Sequence, residues 1–396
     1  MPRGMHCFTF CCLLLLLLFT LPQARCEDRL SWTDWTNEVK SLTIDSREIA
    51  ARLQSCVEEA LTQEPVSEYH PTYSAVTMEL QGRAYRVDVQ LNEVSDYVLI
   101  IDDTVYPFDR MAGMMILHIT ELNLGRKTKL SFSVPEDVAA LFAGSGYTPA
   151  YHIRDLSIKL PKKLECKTSS AVGTYFSYVD PFLRDGGWDL TEYGGQTITA
   201  EIYGTYEHCR GALFSSFFLE KEEEGNLPVL FPLRAIVLRK KDRVIGAYLT
   251  CDQMPEWMLS VRGETPETVL SGKTVEEVLR EHYTMTAADK KAAKMSPEKV
   301  IQAWAKAKTR SAANTYVPLD HWLQACVLSA RDDQLYVTVA DQSYSPLAAK
   351  GIRNLRAAPE YDDDNGYHHY DAGFTYISVR DYGPEIGWKV EGSGGF

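Results

Sequence analysis

Residues 233–252 read LRAIVLRKKDRVIGAYLTCD. Ile236 and Leu238 fall on one side of an alternating run, Lys241 and Asp242 supply a polar turn, and Val244, Gly246 and Tyr248 return. Side chains alternate between the two faces of an extended chain, so two such runs around a tight polar step specify a β-hairpin. A hairpin is antiparallel by construction. The same pattern recurs on both sides of this segment, mixed with helical stretches, and the fold class it predicts is α+β, antiparallel sheets with flanking helices in two or three domains.

Upstream, YFSYVDPFLRDGGWDLTEYGGQTITAEIYGTYE (175–207) passes from a short helix through Gly186, Gly187 and Trp188 into a strand. Downstream, LSGKTVEEVLREHY (270–283) predicts a capped helix. The polar, small-residue stretch LPKKLECKTSSAVG (160–173) reads as a link, which sets a domain over residues 174–283. This unit resembles a short family of domains of unknown function in exported proteins of Gram-positive bacteria. The likeness rests on Gly187-Trp188, Asp189-Leu190, Tyr193, Gly195 and the run Arg243-Val244-Ile245-Gly246-Ala247. It implies a small α+β domain and no catalytic residues.

Before the link, residues 27–160 predict a helix plus an antiparallel β domain. In IDSREIAARLQSCVEEALTQ (44–63), Ile49, Leu53, Val57, Ala60 and Leu61 recur at three- and four-residue steps, behind Asp45 or Ser46 as cap. Strands are expected over 73–91, on both sides of Asp102 and Asp103, and as a pair around Leu124 and Gly125 within MMILHITELNLGRKTKLSFSV (114–134). PEDVAALFA (135–143) reads as a short helix and AYHIRDLSIKL (150–160) as the closing strand. Residues 128–158 resemble β repeats of exported bacterial proteins in which an acidic loop binds calcium. Here the corresponding residues, 122–127, are basic, so those ligands are absent.

A third unit spans residues 290–396. In SPEKVIQAWAKAKTRSAANTYVPL (296–319), Val300, Ile301, Trp304 and Ala307 share one helical face, with Pro297 at a favoured first position. Strands are expected at 334–340, 372–381 and 387–392. The order resembles a cystatin-like half-barrel of the nuclear-transport-factor kind. It is carried by Pro297, Glu298, Val300, Trp304, Ala307, Arg310, Tyr316, Ser345-Pro346, Trp388 and Val390, and departs from the pattern at Ser311-Ala312, where a glycine is usual. The resemblance implies a helix over a curved sheet, with Trp304 and Trp388 in one core.

The chain opens MPRGMHCFTFCCLLLLLLFTLPQARCED. A basic start, an apolar run and a small-residue exit are the order of a secretory signal peptide, residues 1–26, with the mature chain beginning near Glu27. The run is short for a membrane span, which needs about 20 apolar residues. Arg25 argues against lipidation at Cys26. The expected location is secreted or extracytoplasmic, with cell-surface association open and no membrane span after cleavage. Net charge is −13, and loss of Arg3 and Arg25 with the leader makes it −15. So acidic a chain, without a basic stripe, argues against nucleic acid as a partner.

Cys56, Cys166, Cys209, Cys251 and Cys326 would remain after cleavage, with no C-x-x-C among them. Cys166–Cys209 and Cys209–Cys251 are the candidate bridges, beside the alternative of buried unpaired thiols.

The most polar segment is YDDDNGYHHYD (361–371). As a calcium loop it would need carboxylates where Tyr361 and Ala372 stand. His368 and His369, being adjacent, would point to opposite faces of a strand and could not share a zinc ion. Asn365-Gly366 between extended runs reads instead as a hairpin turn. No catalytic, cofactor-binding or metal residue is assigned, and no cofactor. The expected function is non-enzymatic binding or sensing, with a small ligand, a cell-wall component or a protein as partner. The alternative is an extracytoplasmic hydrolase in the cone of the C-terminal domain, with Asp320, His321 and Asp371 as the nearest acid–base groups.

Overall fold

A computed structural model describes residues 27–33, 37–67, 69–70, 75–91, 95–123, 130–167, 170–251, 257–307, 310–324, 361–362, 367–371 and 375–395. The leader (1–26), the strand expected at 334–340, Cys326 and the 363–366 tip lie outside these residues. The chain divides into two units, residues 1–120 and 121–396.

The first unit is built on a six-stranded antiparallel sheet of order β2-β1-β3-β4-β5-β6. Its elements are β1 (Arg29–Thr33), β2 (Val39–Thr43), α1 (Arg47–Ala60), β3 (Val76–Leu80), β4 (Arg83–Leu91), β5 (Ser95–Ile101), β6 (Thr104–Phe108) and the start of α2 (Arg110–Asn123). Ser46 caps α1 by accepting the N–H of Ile49, and Ile49, Leu53, Val57 and Ala60 are buried as the spacing predicts. Asp102 and Asp103 take φ of 47° and 63°, the left-handed pair that a two-residue hairpin turn requires.

Helix α2 replaces the first of the two strands expected within 114–134. Asp109 accepts the N–H of Ala112 at 2.7 Å, which caps the helix. Ala112, Met115, Ile116 and Ile119 are then buried at three- and four-residue steps. The run MMILHIT is apolar but for His118 and Thr120, so alternation and helical spacing both fit it, and the Asp109 cap selects the helix. His118, expected in a strand, is a buried helical residue.

The second unit begins with α3 (Glu136–Phe142), β7 (Pro149–Lys159), α4 (Ala171–Asp185), β8 (Thr197–Thr205), β9 (Cys209–Arg210), α5 (Ser216–Glu223), β10 (Leu230–Phe231), β11 (Leu233–Lys240), β12 (Arg243–Cys251) and β13 (Met258–Ser260). It continues with α6 (Pro266–Val269), α7 (Val275–Glu281), α8 (Ala287–Ala292), α9 (Pro297–Ala305), α10 (Arg310–Asn314) and α11 (Asp320–Gln324), and ends with β14 (Tyr361–Asp362), β15 (Tyr367–Asp371), β16 (Thr375–Asp381) and β17 (Trp388–Gly395).

The hairpin of 233–252 forms as read, with Lys240 opposite Arg243 and Lys241 at φ 55°. It lies in a five-stranded antiparallel sheet of order β13-β12-β11-β8-β7. One face packs Ala235, Val237, Ala247 and Leu249 with Val138 and Phe142 of α3. From the other side α4 reaches β12, where the hydroxyls of Tyr175 and Tyr248 share a buried hydrogen bond of 2.8 Å. Covered on both faces, β11 and β12 are apolar almost continuously. Gly187 ends α4 at φ +88°, and Trp188 turns back against the α3 side of the core. Thr274 and Glu277 form a reciprocal capping box at the start of α7.

Strand β7 was expected to close the first domain. It pairs instead with β8, from Pro149 opposite Thr205 to Lys159 opposite Thr197. The units therefore divide at 120/121, upstream of the 160–173 link. Alternation shows that a segment is a strand but does not name its partner.

At the C-terminal end, β14-β15-β16-β17 form an antiparallel sheet. Tyr361 pairs with His369 and Asp362 with His368, so the strands that flank the polar tip make a hairpin. Helix α9 buries Val300, Ile301 and Trp304 against Ile377, Val379 and Val390, with Tyr316 and Trp388 packed on the same cluster. The fold is thus mixed α+β with antiparallel sheets.

Candidate functional site

The exposed apolar surface of the second unit gathers around Trp257. Its ring stacks on Phe214, with centroids 5.0 Å apart and planes 7° apart. Phe231 and Phe218 meet it edge-on at 4.9 and 5.9 Å. Offset stacks and edge-to-face contacts are the favoured arrangements of aromatic pairs. The hairpin makes this meeting, because β11 starts beside Phe231 and β12 ends at Cys251, whose N–H bonds the carbonyl of Trp257 at 2.8 Å. A Cβ on Gly211 would stand 2.8 Å from the Phe218 ring, so the aromatic lies directly on that backbone.

Beside this cluster is an open cleft of about 530 Å³, lined among others by Tyr178, Leu213, Phe214, Trp257, Leu270 and Lys273. Its size falls within the roughly 300–1,000 Å³ of small-molecule sites. Helix α5 borders it and buries none of its residues. Phe217 is 58 % exposed, Leu219 45 % and Leu213 42 %. Glu222 of α5 pairs with Arg210, Lys221 with Glu224, and Lys273 with Glu281. The charges beside the cleft are thus ion-paired, and its lining combines apolar and aromatic side chains with Ser215, Ser216, Glu267, Lys273 and Thr274. Such a surface can bind an apolar or aromatic group by burial and stacking.

None of these aromatics was singled out from sequence. The available signal was local: Phe214, Phe217, Phe218 and Phe231 lie within eighteen residues that follow neither a helical nor an alternating period.

The acid–base groups named from sequence have a different setting. Asp320 and His321 stand on α11, and His321 Nε2 is 3.6 Å from a carboxylate oxygen of Glu391. The Tyr382 hydroxyl donates to Glu391. Burial pushes the Glu391 carboxyl above its ordinary range, and neighbouring Asp320 adds to the shift. Lys389 Nζ is buried and donates to the Thr315 carbonyl at 2.6 Å, and burial holds its ammonium down to about 8. Asp371 lies on β15, opposite Tyr376 of β16. The sheet face under α9, where a cone would open, is filled by Trp304, Tyr316 and Trp388. Among the described residues, no group of three or more His, Cys, Asp or Glu side chains is placed to hold a metal ion. No helix among them is long and apolar enough to cross a membrane.

A mixed α+β unit with an aromatic cleft is the class that fold and site define. Within it, residues 141–249 match the model of a domain of unknown function (DUF4830). The match overlaps the 174–283 unit read from sequence but starts earlier and takes in β7, as the pairing of β7 with β8 requires. It contains Phe214, Phe218 and Phe231 and stops short of Trp257. No curated protein and no solved structure matches the chain.

Proposed function

We propose that this is an exported, non-enzymatic binding protein whose ligand seats in the Trp257 cleft. The observation that carries the reading is the exposure of Leu213, Phe217 and Leu219 beside a stacked Trp257–Phe214 pair. Large apolar side chains left in water around a concavity mark binding surfaces. The ligand class that fits is a small, mainly apolar molecule with a ring to stack. Export rests on the order of residues 1–26, and the C-terminal unit is read as a cystatin-like half-barrel in which α9 lies over the sheet.

The test is titration of the full chain with a fluorescent apolar anion, anilinonaphthalene sulfonate. Saturable binding that Phe217→Ser and Leu219→Ser weaken supports the reading. Binding that is absent, or unchanged by both substitutions, overturns it.

A second reading, an extracytoplasmic hydrolase, is favoured by the approach of His321 to Glu391, whose carboxylate also accepts from the Tyr382 hydroxyl. Hydrolysis of an activated ester, lost in His321→Ala, would move the assignment there.

A further inference from the structure

None of the described cysteines is joined in a disulfide, and Cys166, Cys209 and Cys251 are buried. Two of them meet. Cys209 on β9 lies opposite Phe231 of β10, and Cys251 at the end of β12 lies opposite Leu233 of β11. Only Pro232 separates Phe231 from Leu233, so the two cysteines flank one short step of chain from its two sides. Directly paired residues of antiparallel strands share a face. The sheet breaks at that step, since β10-β9 and the five-stranded sheet are separate. There the Cys209 thiol has Cys251 as its neighbour, which pushes its pKa up, and Cys209 Sγ donates to the Phe231 carbonyl at 3.4 Å. Cys166 is elsewhere, bridged through its backbone to Tyr283 and with its thiol beside Thr174.

We propose that Cys209 and Cys251 close a disulfide as the second unit folds in an oxidising compartment, tying β9 to the end of β12 beneath the aromatic cleft. The oxidant is a small-molecule disulfide. The thiolate of one cysteine attacks a sulfur of the oxidant and displaces one thiolate, which takes up a proton. The thiolate of the second cysteine then attacks the mixed disulfide at the protein sulfur and releases the second small thiol. One S–S bond breaks and one forms. The two cysteines lose two protons and two electrons, and the oxidant gains both. Burial in the finished core disfavours the attacking thiolate, which places the reaction before the core closes. Of the two bridges that spacing left open, this is the one the fold brings together.

The test uses the full chain, reduced and unfolded, then refolded with oxidised glutathione. Remaining thiols are blocked with iodoacetamide and the digest is mapped by mass spectrometry. The expected result is one peptide pair joined through Cys209 and Cys251, with Cys56 and Cys166 alkylated. Recovery of both Cys209 and Cys251 as alkylated thiols would overturn the proposal, as would a bridge from either to a different cysteine. No substitution is needed, so the outcome is independent of whether a cysteine variant folds.

Discussion

Trp257 and Phe214 lie in a parallel stack although 43 positions separate them in the chain, and between them runs the hairpin that brings them together. The pair is at once part of the core and a wall of the cleft. Trp257 is buried, whereas Phe217 and Leu219 beside it are exposed. Trp257→Ala should lower stability by about 3–5 kcal/mol, the usual loss for a buried large aromatic. Phe217→Ser and Leu219→Ser should each change it by less than about 0.5 kcal/mol, as exposed substitutions do. Urea melts of the three variants check the contrast.

Trp304 is the corresponding anchor of the C-terminal sheet. It packs on Ile377, Val379 and Val390, so Trp304→Ala should also cost about 3–5 kcal/mol. Glu385→Ala, an exposed site in the same region, should stay within about 0.5 kcal/mol in the same melts.

Gly204 on β8 carries the Tyr151 ring, and a Cβ there would stand 2.0 Å from its Cζ. Tyr151 is itself buried, so it has little room to yield. Gly204→Ala should therefore destabilise by roughly 1–3 kcal/mol, the range for overpacked cores. A lowered midpoint in thermal melts checks it.

Lys389 gives a pH dependence with a definite sign. Burial holds its folded pKa at about 8, below the 10.5 of an exposed lysine. Between these values the unfolded chain binds the extra proton, so stability from this group rises with pH from about 8 to 10.5 and is lost below 8. The span corresponds to roughly 3 kcal/mol at about 1.4 kcal/mol per pKa unit. Wild type should gain on Lys389→Met across that window. The difference in urea midpoint at pH 7.5 and pH 10 checks it, and the comparison cancels the titration of the tyrosines.

Much of the fold was legible where local signals agree. Helix α1 has Ser46 at its start and a clean three–four spacing. The Asp102-Asp103 and Lys241-Asp242 turns stand between alternating strands. Helix α9 opens on Pro297 and carries Trp304 on the predicted face. The reading failed where one pattern fits two structures, as with MMILHIT, and where partners had to be chosen, as with β7. The cleft was illegible for a related reason. Phe214, Phe231 and Trp257 belong to different strands and loops, and no local period joins them. His321 could be named as an acid–base group, but its neighbour Glu391 is 70 residues away and comes beside it only through β17.

The pairing of β7 with β8 has a practical consequence for anyone dissecting the protein. A fragment cut at the polar link, beginning at residue 174, would discard Pro149–Lys159 and strip the hydrogen-bond partners from one edge of Thr197–Thr205, leaving only its pairing with β11. Its β8 would become an open edge nine residues long, with Ile198, Ala200 and Ile202 newly uncovered on one side. Long apolar edges recruit strands from other molecules. Such a fragment should self-associate and precipitate, whereas one beginning near residue 130 keeps β7 and should remain dispersed.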